Sequence, residues 1–232
     1  MHYLNTVKAK FIERPNRFIA YVDIEGKREK VHVKNTGRCK ELLLSGADVV
    51  LEHSESTGRK TAYDLIAVYK RNTGLINIDS QAPNKVVKEW LESGKYGFSM
   101  IKPEYGYGSS RIDFYMEKND NRYLMEVKGC TLEREKIGYF PDAPTERGVK
   151  HLNELKRAAK EGYLAYVAFV IQMEGITKVL PNISTHPEFG EALCKAEAAG
   201  VRIIYLPCIV REDSLSIDDK LVREINGELF IY

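Results

Sequence analysis

The sequence contains no uninterrupted apolar stretch of about 18 residues, so no segment reads as a transmembrane helix. Its N-terminus, MHYLNTVKAK, carries two lysines and lacks the apolar core of a secretory signal. A cytoplasmic protein with no membrane association is the expectation. The four cysteines, Cys39, Cys130, Cys194 and Cys208, are widely scattered and form no CxxC pair, which argues against a zinc site and fits reduced thiols. No internal repeat and no low-complexity tract interrupts the chain. No helix-turn-helix pattern is present either, so reading of a DNA sequence by a major-groove helix has no support. His32 has no partner at metal-ligand spacing, and His53 and His186 read as structural.

What is present is an ordinary globular composition over 232 residues, with 44% hydrophobic and 29% charged residues, enough for one large or two small domains. The net charge of +2 hides an uneven split: residues 1 to 80 hold 14 Lys and Arg against 10 Asp and Glu, whereas the remainder is slightly acidic. An anionic partner and a merely solvated surface both account for that excess.

The first 80 residues are rich in strand patterns: VKAKFIE, RFIAYVDIEG, REKVHVK, ADVVLEHS, TAYDLIAVYK and LINIDS. TGRCKELLLSG, between the third and fourth, reads as a short helix with a glycine stop. This is the order of a five-stranded Greek-key barrel of the OB type, with any other small barrel or sandwich as the alternative. From Pro83 the pattern changes. APNKVVKEWLESGK is a helix with Val86, Val87, Trp90 and Leu91 on one face. A strand near 97 to 102, two strands around KNDN, a helix in TERGVKHLNELKRAAKEG, the strand LAYVAFVIQ, a helix in HPEFGEALCKAEAAG and the strand VRIIYLPCIV follow. A three-stranded meander followed by crossovers predicts a mixed sheet with helices on its faces. Arg211 to Tyr232, ending in GELFIY, is expected to form a hairpin or edge strand.

Asp113, Glu126 and Lys128 interrupt the two strands around KNDN. If Glu117 faces Arg122, Asp113 lies opposite Glu126, Arg111 lies opposite Lys128, and two carboxylates and two cations converge on one face. Like charges facing each other in a sheet are destabilising unless something offsets them. A Mg²⁺-type cation would do so, with Lys128 beside it to stabilise a phosphoryl transition state. Ordinary cross-strand ion pairs on solvated faces are the alternative.

An acid on one strand and E-V-K on the next, between two helices, resembles the PD-(D/E)xK nuclease superfamily. RPNRFIAYV at 14 to 22, HVKNTG at 32 to 37, SSRIDF at 109 to 114, EVKGCTL at 126 to 132, FPDAPTERGVKHLNEL at 140 to 155 and VIQ at 170 to 172 narrow the match. Together they resemble the sugar fermentation stimulation protein A family over nearly the whole chain. Two departures stand out. Ile112 replaces the proline that names the superfamily, and Val33-Lys34 and Arg38 replace the more usual Cys-Pro and Ser around NTG.

The resemblance implies an α/β (α+β) protein: an OB-like nucleic-acid-binding barrel over residues 1 to 80, then a nuclease-like mixed β-sheet flanked by helices over residues 81 to 232. It implies DNA as partner, with RNA and a homodimer left open, and Mg²⁺ or Mn²⁺ as cofactor. Asp113 and Glu126 match the metal carboxylates, Lys128 the motif's lysine, Gln172 a polar residue of a later strand, and Glu89 the helical acid. The reading favours a metal-dependent endo- or exonuclease over its rivals, a non-catalytic DNA-binding regulator of sugar metabolism genes and a hydrolase of smaller phosphoesters.

Candidate nucleic-acid contacts are Arg14, Arg17, Lys34, Arg38 and Lys40 of the barrel, Arg111 beside the carboxylates, and Arg147, Lys150 and His151 in the first turns of the TERG helix. The helix face also reads as a solvated basic surface, and Phe18 and Tyr21 read either as stacking aromatics among the barrel cations or, the favoured reading, as barrel core. Asp142 is either an outer metal ligand or a turn residue.

Overall fold

The computed structural model describes residues 1 to 35, 37 to 55 and 58 to 224. Six strands come first: β1 (Thr6–Glu13), β2 (Ile19–Ile24), β3 (Lys27–Val33), β4 (Asp48–His53), β5 (Tyr63–Lys70) and β6 (Gly74–Asn77). Their order is β3-β2-β1-β4-β5-β6, and a parallel pairing of β3 with β5 at His32↔Asp64 and Val33↔Leu65 closes the barrel. Inward residues alternate as the pleat requires: Ala20 and Val22, Val31 and Val33, and Val49 and Leu51 are all buried in one cluster. The closing β3–β5 contact is what makes this sheet an OB-like barrel.

The helix expected within TGRCKELLLSG does not form. Residues 37 to 46 make turns, with the amides of Leu42 and Leu43 both donating to the Cys39 carbonyl. Cys39 sits at φ 45°, outside the right-handed helical region, and its N–H is held by the Asp142 carboxylate. Cys39 itself is therefore not a helical residue.

After the barrel come α1 (Ala82–Glu92), β7 (Met100–Tyr107), β8 (Ser110–Lys118), β9 (Asn121–Cys130), β10 (Leu132–Arg134), β11 (Ile137–Phe140), α2 (Glu146–Lys160), β12 (Leu164–Ile171), β13 (Val179–Pro181), α3 (Pro187–Glu197), β14 (Arg202–Val210), β15 (Leu215–Ile217) and β16 (Arg223–Glu224). The main sheet runs β15-β14-β12-β9-β8-β7, with β16 also on β14. β7, β8 and β9 are antiparallel, whereas β12 is parallel to both β9 and β14. This is the expected meander plus crossovers. β7 starts at Met100, later than its expected start near residue 97.

Helices cover both faces. Val86, Val87, Trp90 and Leu91 of α1 pack with Phe114, Met116, Met125 and Val127. Leu152, Leu155 and Ala158 of α2 pack on the other face with Tyr115, Leu124, Val167 and Phe169. Thr145 caps α2, its hydroxyl accepting from the Gly148 amide. Leu155 is fully buried, and truncating such a side chain to alanine typically costs ~2–5 kcal/mol.

A second, three-stranded sheet, β10-β11-β13, had no counterpart in the sequence reading. The β10–β11 turn is Glu135-Lys136, both at positive φ (52° and 65°), without the Asn or Gly that marks such turns. The β8–β9 turn, Asn119-Asp120, has the same geometry with the usual residues. β15 forms the expected hairpin with β14, while GELFIY lies outside the described residues. No helix among the described residues is long and apolar enough to cross a membrane.

Candidate functional site

The β8–β9 ladder follows the expected register, Glu117↔Arg122 through Phe114↔Met125, and then stops. β9 continues alone on that side, still paired with β12 from Glu126 to Cys130. Asp113 marks the point of departure. One of its carboxylate oxygens accepts the Val127 backbone amide at 2.7 Å, taking the place of the missing strand, and the other accepts from the side-chain Nδ2 of Asn84 on α1 at 2.8 Å. Across β8, Glu104 has φ 50°, and the β7–β8 ladder lacks a Glu104–Asp113 pair. The kink turns Asp113 out of the ordinary alternation and frees its carboxylate for the end of β9.

Glu126 is buried, with 2% of its surface exposed, and lies on the α2 face of β9. Its Oε1 accepts from Lys128 Nζ at 2.5 Å and from His151 Nδ1 of α2. Arg147 Nε donates to His151 Nε2 at 3.3 Å, which leaves the imidazole proton on Nδ1, aimed at Glu126. The other oxygen of Glu126, Oε2, is buried without a hydrogen-bond partner. Burial works against ionisation of Glu126, but Lys128 and His151 outweigh it and hold the carboxyl below its usual range. Asp113 goes the other way, raised by burial and then by the charge of Glu126. Adjacent carboxyls pushed apart in this manner are common where chemistry is done.

Of the other residues singled out from the sequence, some converge here and some do not. Gln172 is buried just past β12, donating to Asn77 Oδ1 at 2.9 Å and to the Asp79 carbonyl at 3.1 Å. Its Oε1 faces Gly129, where a Cβ would stand only 2.5 Å away. His151 is not on a solvated basic face, since it is buried against Glu126. Arg147 and Lys150 are exposed near it, with Lys150 donating to the Ser109 carbonyl at 3.0 Å.

Glu89 is not brought to the carboxylates. It is exposed, and its carboxylate meets the N-terminal ammonium at 2.5 Å. The α1 residue that does reach Asp113 is Asn84, in the first turn of the helix, where the sequence shows only an ordinary polar residue.

Arg111 does not face Lys128; it is exposed and 3.4 Å from Glu104. Arg14 spends its guanidinium on the carbonyls of Arg17, Asn35, Gly37 and Arg38. Lys34 is paired with Glu52 at 3.3 Å and Asp64 at 3.0 Å, with Asp79 at 3.9 Å. These two cations knit the barrel together rather than face a ligand. Arg17 and Arg38 are exposed, and so is Phe18, at 54%, contrary to its reading as core. Asp142 proves to be a clamp: its two oxygens accept the backbone amides of Arg38 at 3.1 Å and Cys39 at 3.2 Å, tying the 140–145 loop to the barrel. Beside it lies a cleft of about 360 Å³ that reaches Gly129 and Gln172 but stops short of the carboxylates.

Comparison with known proteins bears on this arrangement. Residues 81–214 match the family model described as the sugar fermentation stimulation protein RE domain, and residues 12–78 match the SfsA N-terminal OB domain. A sugar fermentation stimulation protein homolog of Desulfitobacterium hafniense is 54% identical over 220 residues, 94% of this chain and 96% of that protein. One from Clostridium beijerinckii is 53% identical over 94% of this chain and 97% of its own length. The solved structure of Pyrococcus furiosus SfsA in complex with Ca²⁺ superimposes with a TM-score of 0.79 at 27% identity, covering 94% of this chain and 95% of that one. By both of its parts and over nearly its whole length, this chain belongs to the sugar fermentation stimulation protein family.

Proposed function

We propose that this chain binds nucleic acid, DNA in the first instance, and hydrolyses phosphodiester bonds at a divalent-cation site formed by Asp113 and Glu126. The observation that carries the reading is the Oε2 atom of Glu126, buried and unpartnered beside a second carboxylate. A buried acceptor without a partner costs about 1–3 kcal/mol, more when charged, and a bound cation would remove that cost.

The donor set fits a hard ion. It offers two carboxylates, and His151 already donates its proton to Glu126, so the imidazole is no ligand. Among the described residues no three His, Cys, Asp or Glu side chains are grouped to hold a metal, which disfavours a zinc-type cage. Mg²⁺ and Mn²⁺ accept one or two carboxylates and keep several waters. The P. furiosus relative is described in complex with Ca²⁺, an ion of the same oxygen-preferring class.

When bound, such an ion supplies Lewis-acid polarisation of the phosphoryl oxygen and lowers the pKa of a coordinated water. The chain's own residues do the rest. Lys128 Nζ lies 2.5 Å from Glu126 Oε1, and in this reading its remaining donors hold the attacking water or a phosphate oxygen. His151, itself fixed by Arg147, locks the Glu126 rotamer. The exposed Arg147 and Lys150 sit in the first turns of α2, where free backbone amides and the helix dipole favour a phosphate. Arg17 and Arg38 add exposed cations on the barrel.

The test is cleavage of labelled DNA and RNA with Mg²⁺ or Mn²⁺ by the wild type, Asp113→Ala and Lys128→Ala. Cleavage that both substitutions abolish supports the assignment. Retention of DNA without cleavage, unchanged in both variants, would instead mark a binding protein on a nuclease-like scaffold.

A further inference from the structure

Two depressions lie side by side on the flank of the barrel. The smaller, about 360 Å³, is bounded by Asn35, Gly129, Tyr139 and Gln172. The larger, about 750 Å³, is bounded by Arg38 and Lys40. Arg17, Gly37, Ala143 and Pro144 border both, so the two form one trough. It runs from the cationic barrel loop to Gly129, the residue that follows Lys128.

Charge and shape along the trough are uneven in an informative way. Arg17, Arg38 and Lys40 are exposed and form no ion pair among the described residues. The acidic groups on its border are already engaged: Glu13 with Arg28 at 2.5 Å, and Asp142 with the Arg38 and Cys39 amides. The inner end is narrow and holds few charges. Its volume is near the bottom of the ~300–1,000 Å³ range of small-ligand pockets, room for a nucleoside and far too little for a duplex. Its two walls, the barrel loop and the 140–145 loop, are pinned together by Asp142, so it cannot widen without breaking both of those hydrogen bonds.

We infer that this trough seats a single, unpaired nucleic-acid strand, with phosphates along Arg17, Arg38 and Lys40 and one base in the narrow end beside Gly129. The inference rests on reading the adjacent carboxylate site as one that acts on nucleic acid. Cations that follow a backbone together with an aromatic side chain, here Tyr139, are how single strands are held without sequence preference.

The experiment is fluorescence anisotropy in EDTA, which prevents cleavage, using a short labelled DNA strand, the same sequence in RNA, and the DNA duplex. The variants are the double substitution Arg38→Ala with Lys40→Ala, and Ala143→Trp, which fills the trough where its two parts join. The single strand should bind at least about tenfold more tightly than the duplex, the margin expected from losing one stacked base. Removing two phosphate contacts should lower the slope of log K against log salt by about 1.4 for a single strand. Ala143→Trp should weaken single-strand binding about tenfold and leave that slope unchanged, with its melting temperature read as the check on folding.

Equal or tighter binding of the duplex, or a folded Ala143→Trp protein that binds single strands as the wild type does, would overturn the inference. Because binding is measured without cleavage, the two readings can fail separately. A chain that grips single strands through the trough yet cuts nothing keeps this inference and loses the hydrolase; one that cuts duplex DNA regardless of these variants does the reverse.

Discussion

His151 and Glu126, 25 residues apart in sequence, are joined by a hydrogen bond from the imidazole Nδ1 to the carboxylate Oε1. That contact ties α2 to the centre of β9 and leaves the second oxygen of Glu126 without a hydrogen-bond partner. Outer partners of this kind fix a metal-binding carboxylate in place, and their removal typically weakens affinity ~10–100-fold. His151→Ala should therefore reduce Ca²⁺ or Mn²⁺ affinity by about that factor in calorimetric titration. His151→Asn, which keeps an N–H near the Nδ1 position, should recover most of the loss. Equal affinity in wild type and His151→Ala would show that the imidazole is only a core residue.

Asp142→Ala removes the acceptor of two backbone amides that link the barrel loop to the 140–145 loop. Hydrogen bonds to a charged group contribute ~1.5–3 kcal/mol each, so a loss of about 2 kcal/mol or more in urea unfolding is expected. Asp142→Asn, still an acceptor, should lose less.

Arg14 and Arg17 are three residues apart, yet they should behave oppositely. Arg14 donates to four backbone carbonyls, so Arg14→Ala should lower stability by about 2 kcal/mol. Arg17 is exposed on the trough, so Arg17→Ala should leave the melting temperature in place and weaken nucleic-acid binding at low salt. Thermal unfolding and anisotropy on the two variants read this directly.

Asp64 gives the barrel an acid-sensitive point. Burial alone would raise its pKa, but Arg59, Lys34 and His32 overcome that and bring it down to about 2. A carboxyl whose folded pKa lies below its unfolded value of ~3.9 stabilises the fold above that value, by about 2 kcal/mol for a shift of this size. The contribution fades as pH falls from about 4 and is gone below the folded pKa of about 2. Urea unfolding of wild type and Asp64→Asn at pH 7, 4, 3 and 2 should show the wild-type advantage shrinking across that interval. A difference that stays constant with pH would contradict the account.

How much of this was legible in the chain varies with the range of the interaction. Strand alternation and the apolar stripes of α1 and α2 are local, and they delivered the meander and the helices on both faces. The carboxylates were visible because Asp113 and Glu126 interrupt apolar runs, where charge needs a reason. His151 was misread as a surface cation, although Gly148, His151, Leu152 and Leu155 recur at helical spacing along one stripe of α2, the stripe that the fold buries. What sequence could not supply was the partner of each cation. Lys34 looks as free as Arg38 until folding brings Asp64 and Asp79 beside it. Glu89 looked like a ligand because it sits on the right helix, but the end of that helix facing the site is the one that carries Asn84.

The central claim is that Asp113 and Glu126 together hold one divalent cation, and titration calorimetry with Mn²⁺ or Ca²⁺ tests it most directly. The account predicts one ion per chain for the wild type and for Glu89→Gln, with binding lost in both Asp113→Asn and Glu126→Gln. Binding that survives both of the last two substitutions, or no binding by the folded wild type, would contradict it.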